Sequence, residues 1–423
     1  MKTFTLLIAL MLLAAQQLKA AENLYKDYPN DITPELSNAG AYTVGVTTLS
    51  ITYPEPTMTL TGQIEQRKLT LEVWYPAEAE GELAVYDNET RSGIPFSIQG
   101  SAYRDSEVAV SEAKFPVIVL SHGYTGYRTI MYYLGEHLAS HGYIVAGIDH
   151  TDSTNIDVDL INAPFAGFPS TLLNRSRDQV LTLSAIIEHD KFKQASDPNN
   201  AGLIGYSMGG YGAVNTVGGC FAFSDQAVGA FTGIEDVPTI QGIKGLLNTC
   251  AGGNPDTSAV DPRWKAMMAL APWGGQHRVF SEDALNQVKV PVLYVAGDHD
   301  DVSGYEGMRW LFDSTGNKDS KLLTFINARH NIAPHPAPSA AFGNELDIGH
   351  YIEPAWRSQS MNAINEHFAL ALMNCHVKAQ TDFCDYLNVE GNSNQAPVNG
   401  EVPTPWKGFD HRYASGLKME SKP

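Results

Sequence analysis

Ala201-Gly-Leu-Ile-Gly-Tyr-Ser-Met-Gly-Gly210 decides how the rest of this chain is read. An apolar run enters Gly205-Tyr206-Ser207-Met208-Gly209, and a small-residue stretch from Ser207 to Val217 follows that would pack tightly as a helix. A G-x-S-x-G pentapeptide carries chemical meaning only between a strand and a helix, because the serine must sit on a sharp turn with its hydroxyl exposed. The flanking glycines permit a close approach that a side chain would obstruct. Serine alone is a weak nucleophile, so the reading demands a base and an orienting carboxylate farther along the chain.

On both sides of this segment, short runs rich in Val, Ile and Leu alternate with helix-length amphipathic stretches, the pattern of a mostly parallel sheet covered on both faces. Eight strands are predicted: Tyr42 to Thr52, Arg67 to Tyr75, Phe115 to Ser121, Ile144 to Asp149, Ala201 to Tyr206, Ala266 to Leu270, Val290 to Ala296 and Lys321 to Ile326. The first two alternate more clearly and are assigned to an antiparallel edge. Helices are predicted at Thr129 to Ser140, Leu172 to His189, Ser207 to Val217, Gly307 to Ser314 and Trp356 to Met373. Open sheets of this type place their active sites on loops at the carboxyl ends of strands.

The acid is sought in Val290-Pro-Val-Leu-Tyr-Val-Ala-Gly-Asp-His-Asp-Asp301, where an apolar strand ends in a turn. Asp300 lies where the chain has just left the sheet, while Asp298 and Asp301 are competitors of the kind that brace turns. The base is assigned to His330 in Leu322-Leu-Thr-Phe-Ile-Asn-Ala-Arg-His-Asn331, with His335 as its rival in a proline-flanked loop. Serine, acid and histidine then occur in the order expected for an α/β-hydrolase. Backbone amides of Met208 and Tyr124 are the expected oxyanion donors: Met208 opens a helix whose first N–H groups lack internal partners, and Gly123 lets the chain turn toward the site. Trp273 and the Tyr124 ring are candidate walls of a substrate cleft. His150, after the strand ending at Asp149, is a candidate substrate contact, and His122 is read as a structural hydrogen-bonding group.

Residues 1–20 read as a signal peptide, with Lys2, an apolar run from Phe4 to Ala15, and a small-residue cleavage point at Ala20 and Ala21. The run is too short to span a bilayer comfortably, so a secreted or periplasmic protein without stable membrane insertion is expected. The formal charge of -19 would become -21 on loss of Lys2 and Lys19, an excess that repels phosphates and argues against nucleic acid partners. Cys220, Cys250, Cys375 and Cys384 allow three pairings, and Cys220 with Cys250 and Cys375 with Cys384 are favoured because each pair is close in sequence. Asp149, His150, Asp152, Asp157 and Asp159 are near one another, but acidic loops in an acidic protein are usually solvated, and no metal site is assigned. The predicted domain covers 21–387, with 221–265 as a candidate cap or lid and 331–354 as a long loop, followed by an irregular tail over 388–423. Oligomeric state is not encoded in any feature of the sequence.

Leu120-Ser-His-Gly-Tyr-Thr-Gly-Tyr-Arg-Thr, continuing through Leu134-Gly-Glu-His-Leu-Ala-Ser-His-Gly-Tyr-Ile-Val-Ala-Gly-Ile-Asp149, resembles dienelactone-hydrolase-like proteins, platelet-activating factor acetylhydrolases and cutinase-like polyester hydrolases of the α/β-hydrolase superfamily. The acetylhydrolases carry their acid just after the strand following the nucleophile helix, where this chain has Met267-Met-Ala-Leu-Ala-Pro-Trp273 and no carboxylate. Ala271-Pro-Trp273 is similar instead to the polyester hydrolases, in which the tryptophan lines an open groove. The resemblance implies hydrolysis of carboxylic esters without metal or organic cofactor. Amide or peptide hydrolysis, polyester cleavage and a non-catalytic binding protein are the alternatives.

Overall fold

The structure, a computed structural model, describes residues 20–26, 34–394, 406–409 and 415–423. The expected signal peptide therefore lies outside the described residues except for Ala20. The strands are β1 (Thr43–Thr52), β2 (Thr57–Met58), β3 (Ile64–Glu65), β4 (Lys68–Ala77), β5 (Leu83–Glu89), β6 (Pro95–Arg104), β7 (Phe115–Ser121), β8 (Ile144–Asp149), β9 (Ser196–Tyr206), β10 (Trp264–Leu270), β11 (Val292–Gly297), β12 (Lys321–Phe325), β13 (Gly391–Asn392) and β14 (Leu417–Ser421). The α-helices are α1 (Tyr132–Ser140), α2 (Phe168–Glu188), α3 (Met208–Thr216), α4 (Asp225–Thr232), α5 (Val237–Leu247), α6 (Glu282–Leu285), α7 (Tyr305–Ser314), α8 (Glu345–Ile348) and α9 (Ser358–His376).

Twelve of the described strands form one sheet in the order β13-β14-β12-β11-β10-β9-β7-β8-β4-β1-β6-β5, and β2 and β3 make a separate small hairpin. The run from β8 through β7, β9, β10 and β11 to β12 is parallel. Strand β7 is buried along its whole length, as expected where helices cover both faces. Helices α1 and α9 pack together on the sheet, while α2 and α3 form a second packed pair over β7 and β9. This is a central, mostly parallel sheet between helices, the α/β-hydrolase fold with insertions.

All eight expected strands form, and four more extend the sheet. Strands β1 and β4 are antiparallel as expected, but the hairpin β5–β6 lies beyond them and takes the edge. Its residues Leu83 to Arg104 mix charge, glycine and proline, so their pairing is dictated by the neighbouring β1 rather than by an apolar pattern of their own. The tail is not wholly irregular: Leu417–Ser421 pairs antiparallel with β12 and buries Leu417 and Met419. The stretch 331–354 contains a short 3-10 turn at Ser339–Gly343 and α8, and 221–265 contains α4 and α5. Cys220 is bonded to Cys250 and Cys375 to Cys384, the pairings expected.

Candidate active site

The strand β9 delivers Ser207 into a turn with φ 53° and ψ -113°, a left-handed conformation that strains any residue with a side chain. The surroundings hold it there. Ser207 N–H donates to Leu270 O at 2.8 Å, and Ser207 O accepts from the N–H groups of Tyr211 and Trp273. A Cβ on Gly209 would come within 1.9 Å of Ser121 O, and one on Gly205 within 2.4 Å of Gly209 O, so both positions require glycine for close approach.

His330 and Asp300 reach this turn from the ends of β12 and β11. His330 Nε2 lies 3.0 Å from Ser207 Oγ, and His330 Nδ1 lies 2.8 Å from Asp300 Oδ2. A neutral imidazole protonated at Nδ1 fits both bonds, leaving Nε2 to accept from the serine hydroxyl. Burial alone would raise the Asp300 carboxyl, but His330 and the N–H groups of Ser303 and Val302 outweigh it and hold it below the ordinary carboxylate value. Glu353 clamps the loop on either side of the histidine, accepting from Arg329 N–H at 2.7 Å and Asn331 N–H at 2.6 Å.

The rivals are engaged elsewhere. Asp298 accepts from Asn327 N–H and Asp301 pairs with Arg329. His335 is buried, bonded to Tyr127 Oη and Pro336 O, and pushed down to about 4 by burial. Asp149 pairs with Arg128 and Asp152 with Arg67, while Asp157 and Asp159 cap local turns. No group of three or more His, Cys, Asp or Glu among the described residues is arranged to hold a metal ion.

The helix start and the loop that carry the two expected oxyanion amides both border Ser207. Met208 is the first residue of α3, and Gly123 lies so close that a Cβ there would meet Ser207 Cβ at 3.1 Å. The next residue, Tyr124, donates its N–H to no partner among the described residues, whereas Thr125 and Gly126 donate to Ser153 O and Gly123 O. Gly123 O also accepts from His122 Nδ1 at 2.5 Å, which ties the loop and leaves His122 a structural residue.

Trp273 sits in a nearly closed aromatic cluster. Its ring lies 5.4 Å from Phe168, 5.3 Å from Phe231 and 5.0 Å from His277, and Tyr124 packs edge-on against Phe168. Phe168 comes from α2 and Phe231 from α4, so the insertion after Cys220 supplies one wall. Neither phenylalanine stood out in the sequence, since α2 and α4 carry no chemical motif and their approach is tertiary.

His150 requires a correction. It does not line the cleft: it is 1% exposed, and both ring nitrogens are taken. His150 Nε2 lies 2.8 Å from Ser121 Oγ, and His150 Nδ1 lies 2.7 Å from Asp178 Oδ2. Ser121, His150 and Asp178 thus form a second spatially linked Ser–His–Asp chain, beneath the first. Asp178 is gripped by Arg67 through Nε at 2.8 Å and Nη2 at 2.9 Å, and by Tyr53 Oη at 2.7 Å. Gln179 Nε2 donates to both Ser121 Oγ and Gly209 O, joining this inner chain to the glycine two residues beyond Ser207. Burial, with Arg175 nearby, pushes His150 down to about 3, so its imidazole is neutral at ordinary pH. No spacing along the chain marks these three residues, which lie on β7, just after β8, and on α2.

Comparison with known proteins agrees with this architecture. Residues 39–165 match the family model described as platelet-activating factor acetylhydrolase, isoform II. A 41-residue stretch is 54% identical to a platelet-activating factor acetylhydrolase of Canis lupus familiaris, covering 10% of this chain and 9% of that protein. A 100-residue stretch is 31% identical to cutinase est1 of Thermobifida alba, covering 24% of this chain and 29% of that protein. The chain thus matches less than a third of the length of these curated relatives. The solved structure of a ferulic acid esterase from Streptomyces cinnamoneus superposes over 81% of this chain and 93% of its own, with a TM-score of 0.53 and 17% identity.

Proposed function

We propose that this α/β-hydrolase superfamily protein hydrolyses carboxylic esters through an acyl-enzyme on Ser207. The observation that carries the reading is the hydrogen-bonded line from Asp300 through His330 to Ser207, with the serine on a strained strand-to-helix turn. Ser207 Oγ bonds to the ester carbonyl carbon as His330 Nε2 takes its proton. The amides of Met208 and Tyr124 face the resulting oxyanion. The C–O bond to the alcohol then breaks, with His330 returning the proton to the departing oxygen. Water, deprotonated by the same imidazole, adds to the acyl carbon and releases the acid.

The packing of Phe168 and Phe231 on Trp273 supports short acyl groups rather than long chains or a polymer surface, because the tryptophan is 7% exposed beneath those two rings. The test combines labelling with a substrate panel. A fluorophosphonate should modify Ser207 stoichiometrically, and kcat/KM on 4-nitrophenyl esters should fall from acetyl to palmitoyl. Failure to label would defeat the hydrolase reading, and an optimum at long chains would defeat the closed acyl site.

Export is part of the same proposal, supported by the leader-like residues 1–20 and by two disulfides that require an oxidising compartment. N-terminal sequencing of the exported protein should begin at Ala21. A chain beginning at Met1 would contradict it.

A further inference from the structure

The long loop 331–354 is rich in proline and alanine and carries no chemical motif, yet its far end becomes a support for the base. His330 lies beyond Phe325, the last residue of β12, so no sheet ladder holds its backbone. The segment from Gly349 to Trp356 does so instead. Trp356 Nε1 donates to Ile326 O at 2.8 Å, and the indole ring packs edge-on 5.0 Å from Phe325. Asn331 Nδ2 donates to Gly349 O at 2.8 Å and to Ile352 O at 3.1 Å. Between these two anchors, one Glu353 oxygen accepts from Arg329 N–H and the other from Asn331 N–H, the amides on either side of His330.

A carboxylate is a costly group to keep in that place. Glu353 is 3% exposed, and no described cation pairs with it, since the Arg329 guanidinium turns to Asp301. Glu72 and Asp178 are buried to a similar degree, but each of them holds an arginine. Without a cation, Glu353 offsets its desolvation through hydrogen bonds, and both carboxylate oxygens bond the histidine's neighbours. The imidazole must meet Ser207 at 3.0 Å and Asp300 at 2.8 Å together, an arrangement that tolerates little displacement of its loop.

Resting on the esterase reading above, we infer that ionised Glu353 is a positioning residue, fixing the backbone on both sides of His330 so that the imidazole bridges Ser207 and Asp300. Protonation converts one acceptor oxygen into a hydroxyl that faces an N–H, and that side of the loop is released.

The surroundings set the charge state. Burial outweighs the two amides and raises the Glu353 carboxyl above the ordinary glutamate range, so it takes up a proton at a higher pH than a solvated glutamate does. The groups facing it are His330 and Arg329 after β12, Asp300 after β11 and the neutral Tyr206 at the end of β9, while Asp301 is taken up by Arg329. Turnover then needs His330 neutral and Glu353 ionised at once.

The experiment measures kcat and KM for 4-nitrophenyl acetate across the acid range in wild type and in Glu353→Gln, an amide of the same shape with one acceptor fewer. Near neutrality, Glu353→Gln should lower kcat by about 10- to 100-fold with KM changed less than about twofold, since no acyl-site residue is touched. Its acid limb in kcat/KM should be shallower than that of wild type and lie at lower pH. One titrating carboxylate is gone, and the imidazolium has lost a neighbouring negative charge. Glu353→Asp, which keeps the charge, should hold its limb nearer that of wild type. Near-ultraviolet circular dichroism and complete fluorophosphonate labelling of Ser207 verify that the variants are folded. A kcat for Glu353→Gln within about twofold of wild type overturns the inference, and so does a reduced kcat with an unmoved limb, the mark of a purely structural lesion. Should neither variant fold, the wild-type limb decides: its slope should steepen beyond one toward about two, and a slope of about one throughout overturns the inference. Wild-type turnover with Ser207 labelled leaves the esterase reading standing in all these cases, whereas absence of both defeats that reading and this inference with it.

Discussion

Ser207→Ala is expected to lower kcat/KM for a short-chain 4-nitrophenyl ester by about 10^4- to 10^6-fold while leaving the protein folded. The size follows from what the hydroxyl does: without it no acyl-enzyme forms, and only the oxyanion amides and binding contribute. The informative comparison is Ser121→Ala, because the chain holds two Ser–His–Asp lines. The inner line has similar spacing, at 2.8 Å and 2.7 Å against 3.0 Å and 2.8 Å. Distances therefore do not separate them, and surroundings do. Ser121 is 0% exposed and also accepts from Gln179, so no carbonyl carbon can approach it without displacing packed neighbours. Ser207 sits on the strained turn between two available amides, and the His330 side chain keeps 12% exposure. Ser121→Ala should therefore cost about 1–3 kcal/mol of stability, by stranding His150 Nε2 and Gln179 Nε2, yet retain labelling and turnover at Ser207. Turnover abolished in a folded Ser121→Ala variant, with Ser207→Ala active, would move the chemistry to the inner line.

Asp178→Asn is expected to destabilise the fold by about 3–5 kcal/mol at pH 7, measured as urea unfolding followed by tryptophan fluorescence. The carboxylate is fully buried and satisfies Arg67, His150 and Tyr53 together, so an amide of the same shape leaves the buried guanidinium with the half-exposed Asp152 as its one carboxylate partner beside the Thr151 carbonyl. Desolvation would raise the Asp178 pKa, but Arg67 and the His150 hydrogen bond overcome it and hold it well below the ordinary carboxylate value. A depressed folded pKa means that the contribution is fully present above the unfolded value, about 3.9, and is lost as pH falls through the folded one. The gap between wild type and Asp178→Asn should therefore be largest near neutrality and shrink below about pH 4. An unchanged gap at pH 7 and pH 3 would contradict the linkage.

The local code was legible wherever a residue's role depends on its own neighbours in sequence. The apolar runs around Phe115 to Ser121, Ile144 to Asp149 and Val292 to Gly297 identify buried parallel strands because their burial on both faces needs continuous apolarity. Gly205 to Gly209 identifies the turn because only glycine tolerates the backbone contacts there. Asp300 and His330 could be placed because each follows its strand directly, and the parallel sheet then brings strand ends together. The β5–β6 edge and the pairing of Leu417–Ser421 were not legible, since a partner strand rather than an internal pattern sets them.

By itself, then, the amino-acid order determined the sheet's central strands, the strained serine, its two partners and both cystine pairs. Tertiary structure alone decided that His150 turns inward to Ser121 and Asp178 instead of facing substrate, and that Phe168 and Phe231 close over Trp273. The physical reason is the same in each case. These contacts join segments far apart in the chain, and the direction of a side chain between two layers is fixed by what fills the opposite layer, which no local spacing encodes.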